Sequence, residues 1–569
     1  MTSRYTPLFD AIALLEANHQ APNLVPAVKN FPFHQMYIGQ KEILEQIPTG
    51  GSAVICSHTG MGKTAIFLTL TRNTPSIIIE PRIFLQRQTA KYFNDTLLFG
   101  RSGYQCRHAH SAATAPCLLK ENCSDTQFHR TCEKATQTCL NDECTVFPIS
   151  ESSKRSCVFE WGSLCGESDG TRMASEDIED NNAPCGFRNP SECTRYLPAT
   201  ISSYQIYPCE ECKYISAQRE AIRVFRNNGT VICNFGNFWN LLKSAKLVVV
   251  DEADLFFREI SAPMRLKYST PKQHSGNSIK ELMDREVDGL QKAAKDKDAG
   301  FRYKAQNLLY SAQFLFANAD LCFKYQRKDR IYIEIDPRNV NILSQKLFKD
   351  KRVIIVSATP GQFDLPSYSA SIHQRCGLFF APVGNLTSRS LKINPYIMNQ
   401  AARAIVEISN HFDMMYDNTH VIIHCTNLGT HAAAMYKILG KDDCVLHSSG
   451  KLAETIQEYL KSKKRYLLAA SAEYGFDASF SKLQFILKHP FPNLDERART
   501  LQKVMGPEFN AYYESSARIR TIQMAGRVGR GFDDFGCTIC LDSKSKEDYE
   551  KNQMQYPDWY RNRVDSRCY

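Results

Sequence analysis

Three short stretches carry residue types at spacings suited to phosphate chemistry. In SHTGMGKTA (57–65), Gly60 and Gly62 let successive backbone N–H groups turn inward around phosphate oxygens. A helix beginning just after them would point its positive end at the same anion. Lys63 would reach the β- and γ-phosphates of a nucleoside triphosphate and Thr64 would ligate Mg²⁺, with Thr59 and Met61 completing the loop. Position 57 is Ser where the general P-loop pattern has Gly. In VVVDEAD (248–254) an acidic pair follows an apolar strand, at the carboxyl edge of a parallel sheet where α/β sites form. Asp251 would hold Mg²⁺, and Glu252 would orient or deprotonate the attacking water. In QMAGRVGRG (523–531), helical spacing puts Arg527 and Arg530 on one face with Gln523 behind them. From another domain, two guanidiniums reach a γ-phosphate only on closure, which couples closure to hydrolysis. Each stretch alone has a plainer reading: a Gly-rich turn, a solvated acidic turn, an exposed basic helix. All three in order, with SAT (357–359) between, point to ATP hydrolysis.

Thiols are the other reactive group. Twelve of the 21 cysteines fall between Cys106 and Cys212. The N-terminus has no basic region leading into a long apolar stretch, so a secretory signal is not expected. Clustered thiols in a reducing compartment read as metal ligands rather than disulfides. The net charge of +10 permits a polyanionic partner, and a solvated basic surface explains it equally well. No run of 18 uncharged apolar residues occurs, so no membrane span and an intracellular location are expected, cytoplasmic in a prokaryote and nuclear in a eukaryote.

Elements must hold these groups in place. At 569 residues the chain suits three or four domain-sized units. Residues 31–47 predict a helix, 52–70 strand, turn and helix, and 76–93 strand then helix. This alternation argues for a parallel sheet covered on both faces. It stops near Gly100, and 106–212 is Cys-, Ser- and Asn-rich with little periodicity, an insertion held by something other than an apolar core. The rhythm resumes before KLVVVDEADLFF (246–257). A second insertion follows, where Ile279, Leu282, Met283, Val287 and Leu290 recur at helical spacing, as do Ala305, Leu308, Leu309, Ala312, Leu315, Phe316 and Ala319. Two amphipathic helices packed on each other are the simplest reading. After the strand 351–360, new strands at 419–427, 465–471, 482–490 and 536–542 make a second α/β domain.

With these motifs in place, the chain resembles the superfamily 2 helicases, and within them the iron–sulfur XPD/DinG-like family. FPFHQMYIGQKEI looks like that family's adenine-side motif, with Gln40 the matching glutamine and Ile38 where an arginine is common. GRSGYQC and CKYISAQRE resemble the flanks of its cluster domain. NFWNLLKSAKLVVVDEAD resembles the approach to its acidic motif, and IYIEIDPRNVNILSQKLFKDKRVIIVSATP the return from its helical Arch. Two departures stand out: Tyr474 in YGFD replaces the usual Glu, and Asp254 replaces the more usual His.

The resemblance implies two RecA-like α/β helicase domains, the first carrying a Cys-rich iron–sulfur insertion and a helical Arch-like insertion. The expected division is 1–105 and 213–257 for the first domain, interrupted by 106–212. The Arch-like insertion follows at 258–350, then 351–390 closes the first domain and 391–569 is the second. It implies ATP, Mg²⁺ and a [4Fe–4S] cluster, with Cys106 and Cys212 matching the first and last ligands by position. Cys185 and Cys193 are taken for the middle pair, with Cys209 in reserve. Cys123, Cys132, Cys139 and Cys144 could instead hold a separate zinc, and zinc is also the alternative metal for the main site. The implied activity is an ATP-dependent helicase or translocase on single-stranded or forked DNA, moving 5′ to 3′ as a monomer. The cluster and Arch domains act as its wedge. Asn234, Phe235 and Trp239 are candidate strand contacts, or core. Rival readings are an RNA-directed DEAD-type helicase and a nucleic-acid-binding metalloprotein with a vestigial ATPase. The intact Lys63, Thr64, Asp251, Glu252, Arg527 and Arg530 argue against the last.

Overall fold

The computed structural model describes residues 5–17, 23–57, 60–80, 86, 89–90, 96–98, 213–234, 237–253, 255–256, 265–267, 278–295, 299–327, 330–359, 363–370, 376–387, 390–391, 394, 396–416, 420–447, 452–470, 478, 480–529 and 535–565. Two compact units divide the chain. One comprises Met1–Leu70, Ile355–Leu494 and Met505–Tyr569, the other Thr71–Ile354 and Asp495–Val504.

In the first unit, six parallel strands form a sheet in the order Cys376–Gly384, Gly536–Asp542, Leu483–Ile486, Val421–Cys425, Tyr466–Ala470, Cys444–Leu446. Their sequences are almost continuously apolar (VIIHC, YLLAA, LQFI) because both faces are covered. The helix Tyr396–Tyr416 lays Ala401, Ile405, Ile408 and Phe412 on one face at i, i+4, i+7 and i+11, and all four are buried. The helix Thr6–Ala17, read from sequence with the first α/β domain, packs on this same face. Leu8, Phe9 and Ile12 join the cluster of Phe379, Phe412 and Leu468, and Phe9 stacks on His411 at 3.5 Å.

The same unit holds the P-loop elements. An antiparallel hairpin, Leu24–Pro26 with Gln35–Tyr37, leads directly into the helix Ile38–Gln46. The strand Ala53–Cys56 pairs in parallel with Ser367–Tyr368, and its other neighbour is the strand Arg352–Ser357. The P-loop helix Lys63–Thr71 follows.

The second unit carries four parallel strands in the order Leu247–Asp251, Ser76–Ile79, Thr230–Cys233, Thr96–Leu98. Its other half contains the two helices expected from periodicity, Ile279–Ala293 and Ala299–Ala317. Ser278 and Glu281 form a reciprocal capping box at the first. Leu282, Met283, Leu290, Leu308, Ala312 and Leu315 are buried. Absent from the sequence reading is a three-stranded antiparallel sheet, Arg265–Lys267, Arg330–Ile335 and Cys322–Arg327. The alternation in RIYIEI explains it: Ile331, Ile333 and Ile335 are buried while Tyr332 and Glu334 lie on the opposite, partly exposed face. The helix Glu496–Met505 comes from far along the chain, yet Arg497 reaches Glu334 at 2.5 Å and lies over Phe323 at 5.9 Å.

Candidate functional site

The P-loop is shaped by two left-handed glycines, Gly60 (φ +92°) and Gly62 (φ +72°). A Cβ on Gly62 would sit 2.5 Å from Gln40 Nε2, so only glycine allows this backbone path. Gln40 is buried and clamps the loop through three bonds. Its Nε2 donates to Met61 O at 2.8 Å and to Gly62 O at 3.4 Å, and its Oε1 accepts from Tyr37 N–H at 2.9 Å. The glutamine picked from sequence thus ties the entry hairpin to the phosphate loop. Lys63 opens the helix and its Nζ donates to Ser57 O at 3.0 Å across the loop. Burial pushes the neighbouring Cys56 thiol up to about 11, against the Lys63 charge, so it stays a neutral core group. The residues present fit a triphosphate: a loop turned at two left-handed glycines, a helix N-terminus, the Lys63 ammonium and the Thr64 hydroxyl on the same turn. Thr59 lies outside the described residues.

The SAT segment meets the end of the P-loop strand. Ser57 N–H donates to Ser357 O at 3.3 Å. Ser357 Oγ and Thr359 Oγ1 are 3.0 Å apart, and Thr359 N–H donates to Ser357 Oγ at 3.2 Å, which locks the turn. Ala358 O accepts from Trp559 Nε1 at 2.9 Å.

In the second unit, Asp251 ends its strand and Glu252 takes φ +49°, a left-handed conformation that costs a non-glycine residue about 1 kcal/mol. Its carbonyl accepts from Leu255 N–H at 2.9 Å, starting the next turn. Glu80, which sequence reading passed over, sits at the end of the adjacent strand and is buried. Thr89 Oγ1 donates to its Oε1 at 2.5 Å and Gln86 Nε2 to its carbonyl at 2.8 Å. Burial, then the Asp251 charge, hold its carboxyl well above the usual range. The signal was present in IIIEPR: a carboxylate at the carboxyl end of an apolar strand, just as in VVVDEAD. Trp239, a candidate strand contact, is core, with its ring 4.6 Å from Phe238 and 5.6 Å from Phe314. Phe235 and Asp254 lie outside the described residues.

The arginine segment differs from the expected helical face. The helix Glu508–Ala525 ends with Gly526 as its C-cap, so Arg527 lies beyond it. Beyond it, Gly529 takes φ +60°, and a Cβ there would come 2.1 Å from Cys376 Sγ, so this stretch requires glycine. Gln523 is fully buried in the last turn and Arg527 is 3% exposed. Gln484 Nε2 donates to Met524 O at 2.9 Å and Gln484 Oε1 meets His424 Nε2 at 3.0 Å, pinning this turn to the sheet. Burial drives His424 down to about 4, and the Arg527 charge pushes the same way, so Arg527 faces a neutral imidazole. The His in VIIHC, polar inside an apolar strand, was the overlooked signal. Arg530 and Tyr474 lie outside the described residues. So do Cys106, Cys185, Cys193 and Cys212, the reserve Cys209, and Cys123, Cys132, Cys139 and Cys144. Among the described residues no His, Cys, Asp or Glu cluster could hold a metal, and no helix is long and apolar enough to cross a membrane.

Residues 418–563, which contain the six-stranded sheet's last five strands and the arginine segment, match the helicase C-terminal domain family. The chain thus carries a helicase C-terminal domain downstream of its P-loop motif. It is similar to a solved XPD helicase at 11% identity and a TM-score of 0.47, covering 91% of this chain and 97% of that one. It is also similar to Xpd4 of S. tokodaii at 12% identity and a TM-score of 0.43, covering 92% and 98%. A DEAD box protein from Methanococcus jannaschii matches at 11% identity and a TM-score of 0.31, covering 94% and 98%. No curated protein matches the sequence.

Proposed function

We propose that the chain is an XPD/DinG-like helicase that uses ATP to move 5′ to 3′ along single-stranded DNA and separates the duplex ahead of it. The observation that carries this reading is the Gln40 clamp on a glycine-turned P-loop, in a chain with a helicase C-terminal domain. ATP bound there supplies a phosphoanhydride whose hydrolysis drives movement. The protein's part is to bind and orient. Lys63 and the loop amides hold phosphate oxygens, and Gln40 keeps the loop in its binding shape. Thr64 and Asp251 are assigned to Mg²⁺, Glu252 to the attacking water, and Gln523, Arg527 and Arg530 to the γ-phosphate side. A strand held through its phosphates needs no base contacts, so binding should weaken steeply with salt. Cys106, Cys185, Cys193 and Cys212 are proposed as ligands of a [4Fe–4S] cluster in the wedge, with the protein working as a monomer.

The test is ATP turnover and strand separation by the full chain, on matched DNA and RNA forks with 5′ or 3′ tails. Turnover stimulated by DNA, with unwinding of 5′-tailed forks, supports the reading. Preference for RNA forks overturns the DNA assignment, and preference for 3′ tails overturns the polarity. Absence of any strand-stimulated turnover sinks the helicase reading itself.

A further inference from the structure

The last described segment of the chain, Tyr556–Asp565, is built into the SAT turn. Trp559 sits in the short helix Asp558–Arg561 and is 8% exposed. Its indole N–H donates to Ala358 O at 2.9 Å, a bond between residues 201 apart in sequence. The ring is held from its other side by Arg563, whose guanidinium lies 4.9 Å from the ring centroid. The segment is itself anchored: Leu378 N–H donates to Arg563 O at 2.9 Å, and Asp565 N–H to Leu378 O at 3.1 Å. Ala358, 1% exposed, belongs to the same apolar cluster as Trp559, Tyr560, Ile522, Met524 and Ala525. The middle residue of the SAT turn therefore lies in the same core as the last turn of the helix Glu508–Ala525, just before Arg527.

Those contacts form an unbroken series. Lys63 Nζ bonds Ser57 O, and Ser57 N–H bonds Ser357 O. The next residue's carbonyl bonds Trp559, which belongs to the same apolar cluster as Met524 and Ala525. Met524 O in turn accepts from Arg527 N–H at 3.1 Å. A phosphate-side change at Lys63 and a change at Arg527 thus meet at one buried hydrogen bond whose acceptor has no water to replace its donor.

We infer that Trp559 is a positioning residue for ATP hydrolysis: its indole N–H and ring hold the SAT turn in register with the segment that carries Arg527. This rests on the helicase reading above. The hydrogen bond from Trp559 is made to the SAT turn, so its loss should act on turnover rather than on nucleotide affinity. Spatial adjacency alone does not establish coupling, and the energetic test is a double-mutant cycle.

The experiment uses the full chain and compares the wild type with Trp559→Phe, Ser357→Ala and the double variant, measuring strand-stimulated kcat and KM for ATP. Trp559→Phe keeps an aromatic ring in the cluster and removes only the N–H. Its kcat should fall about tenfold, the loss of one buried hydrogen bond, with KM for ATP unchanged within about twofold. The double variant should be no slower than about the slower single one, because both act on one turn. A Trp559→Phe enzyme with wild-type kcat overturns the inference, as does a double variant whose loss is the product of the single losses. If Trp559→Phe lacks a cooperative thermal transition, Arg563→Gln decides, since it frees the ring and leaves the N–H in place. A kcat-selective drop in that variant supports the inference, and wild-type turnover overturns it. A wild-type chain with no strand-stimulated turnover overturns the helicase reading and this inference together. Wild-type turnover unaffected by either substitution overturns only the inference.

Discussion

Acidification from pH 7.5 to 5 should strip several kcal/mol from the six-stranded domain. The main cause is two deeply buried imidazoles, with His420, His431 and His447, also held down by burial, acting in the same sense. His424 is enclosed in the central strand with Nε2 on Gln484, and burial holds it near 4 against an ordinary 6.5. His489 is equally enclosed: its Nδ1 lies 3.3 Å from Ser545 Oγ and 3.4 Å from Thr521 Oγ1, and burial also takes it to about 4. The Arg518, Lys488 and Lys544 charges push His489 further down, and Asp548 opposes them. Both groups are neutral in the fold and protonate in the unfolded chain as pH falls through 6.5. Their contribution is therefore complete above 6.5 and is lost progressively as pH falls toward 4. At 1.36 kcal/mol per unit, each loses about 2 kcal/mol by pH 5, about 4 together. For a domain of this size that lowers Tm by about 8–16 °C. Asp542, whose carboxyl burial holds above its ordinary range, works in the opposite sense and trims the loss. Circular dichroism melts of the full chain at pH 7.5, 6.5, 5.5 and 5 read it directly. His424→Gln keeps a hydrogen-bonding side chain without a titrating ring and should flatten the slope measurably, by less than about half. A Tm independent of pH over this range would refute the reasoning, as would a His424→Gln slope equal to wild type.

Lys63→Ala should abolish ATP hydrolysis and leave filter binding of labelled single strands nearly unchanged; hydrolysis at the wild-type rate would remove the P-loop assignment. Gly62→Ala must place a Cβ 2.5 Å from Gln40 Nε2 at φ +72°. It should cost about 1–2 kcal/mol in local strain and weaken ATP binding, seen as a raised KM, whereas unchanged KM would mean that the clamp does not shape the loop. Anaerobically purified protein should be brown with about four irons per chain, and Cys106→Ser or Cys212→Ser should bleach it; colourless protein with stoichiometric zinc would reject the iron cluster and leave the ATPase reading standing.

The phosphate loop, the acidic strand end and the helicase sheet were legible in the sequence because each rests on local constraints. A glycine with φ +92° or +72° and a lysine opening the next helix are properties of a few consecutive residues. Buried parallel strands show up as apolar runs, and the helices 279–293 and 299–317 as a period of 3.6. RIYIEI carried an equally local signal, the period of 2 that went unused.

What the tertiary structure alone decided involves residues distant in sequence. An apolar face on Thr6–Ala17 says that the helix is covered, not that Phe9 stacks on His411. The motif QMAGRVGRG is consistent with a continuous helix, yet the helix ends at Ala525, and Gly529 lies against Cys376, from a strand some 150 residues earlier. The Glu80 carboxyl is held above its ordinary range only because packing excludes water and sets Asp251 beside it. A tryptophan near the end of a chain reads as ordinary core, and nothing within ten residues of it distinguishes the one that bonds Ala358. Local backbone preference and periodicity are written in neighbouring residues. Burial, pKa and the partner of a single indole N–H depend on which distant surfaces the fold brings together.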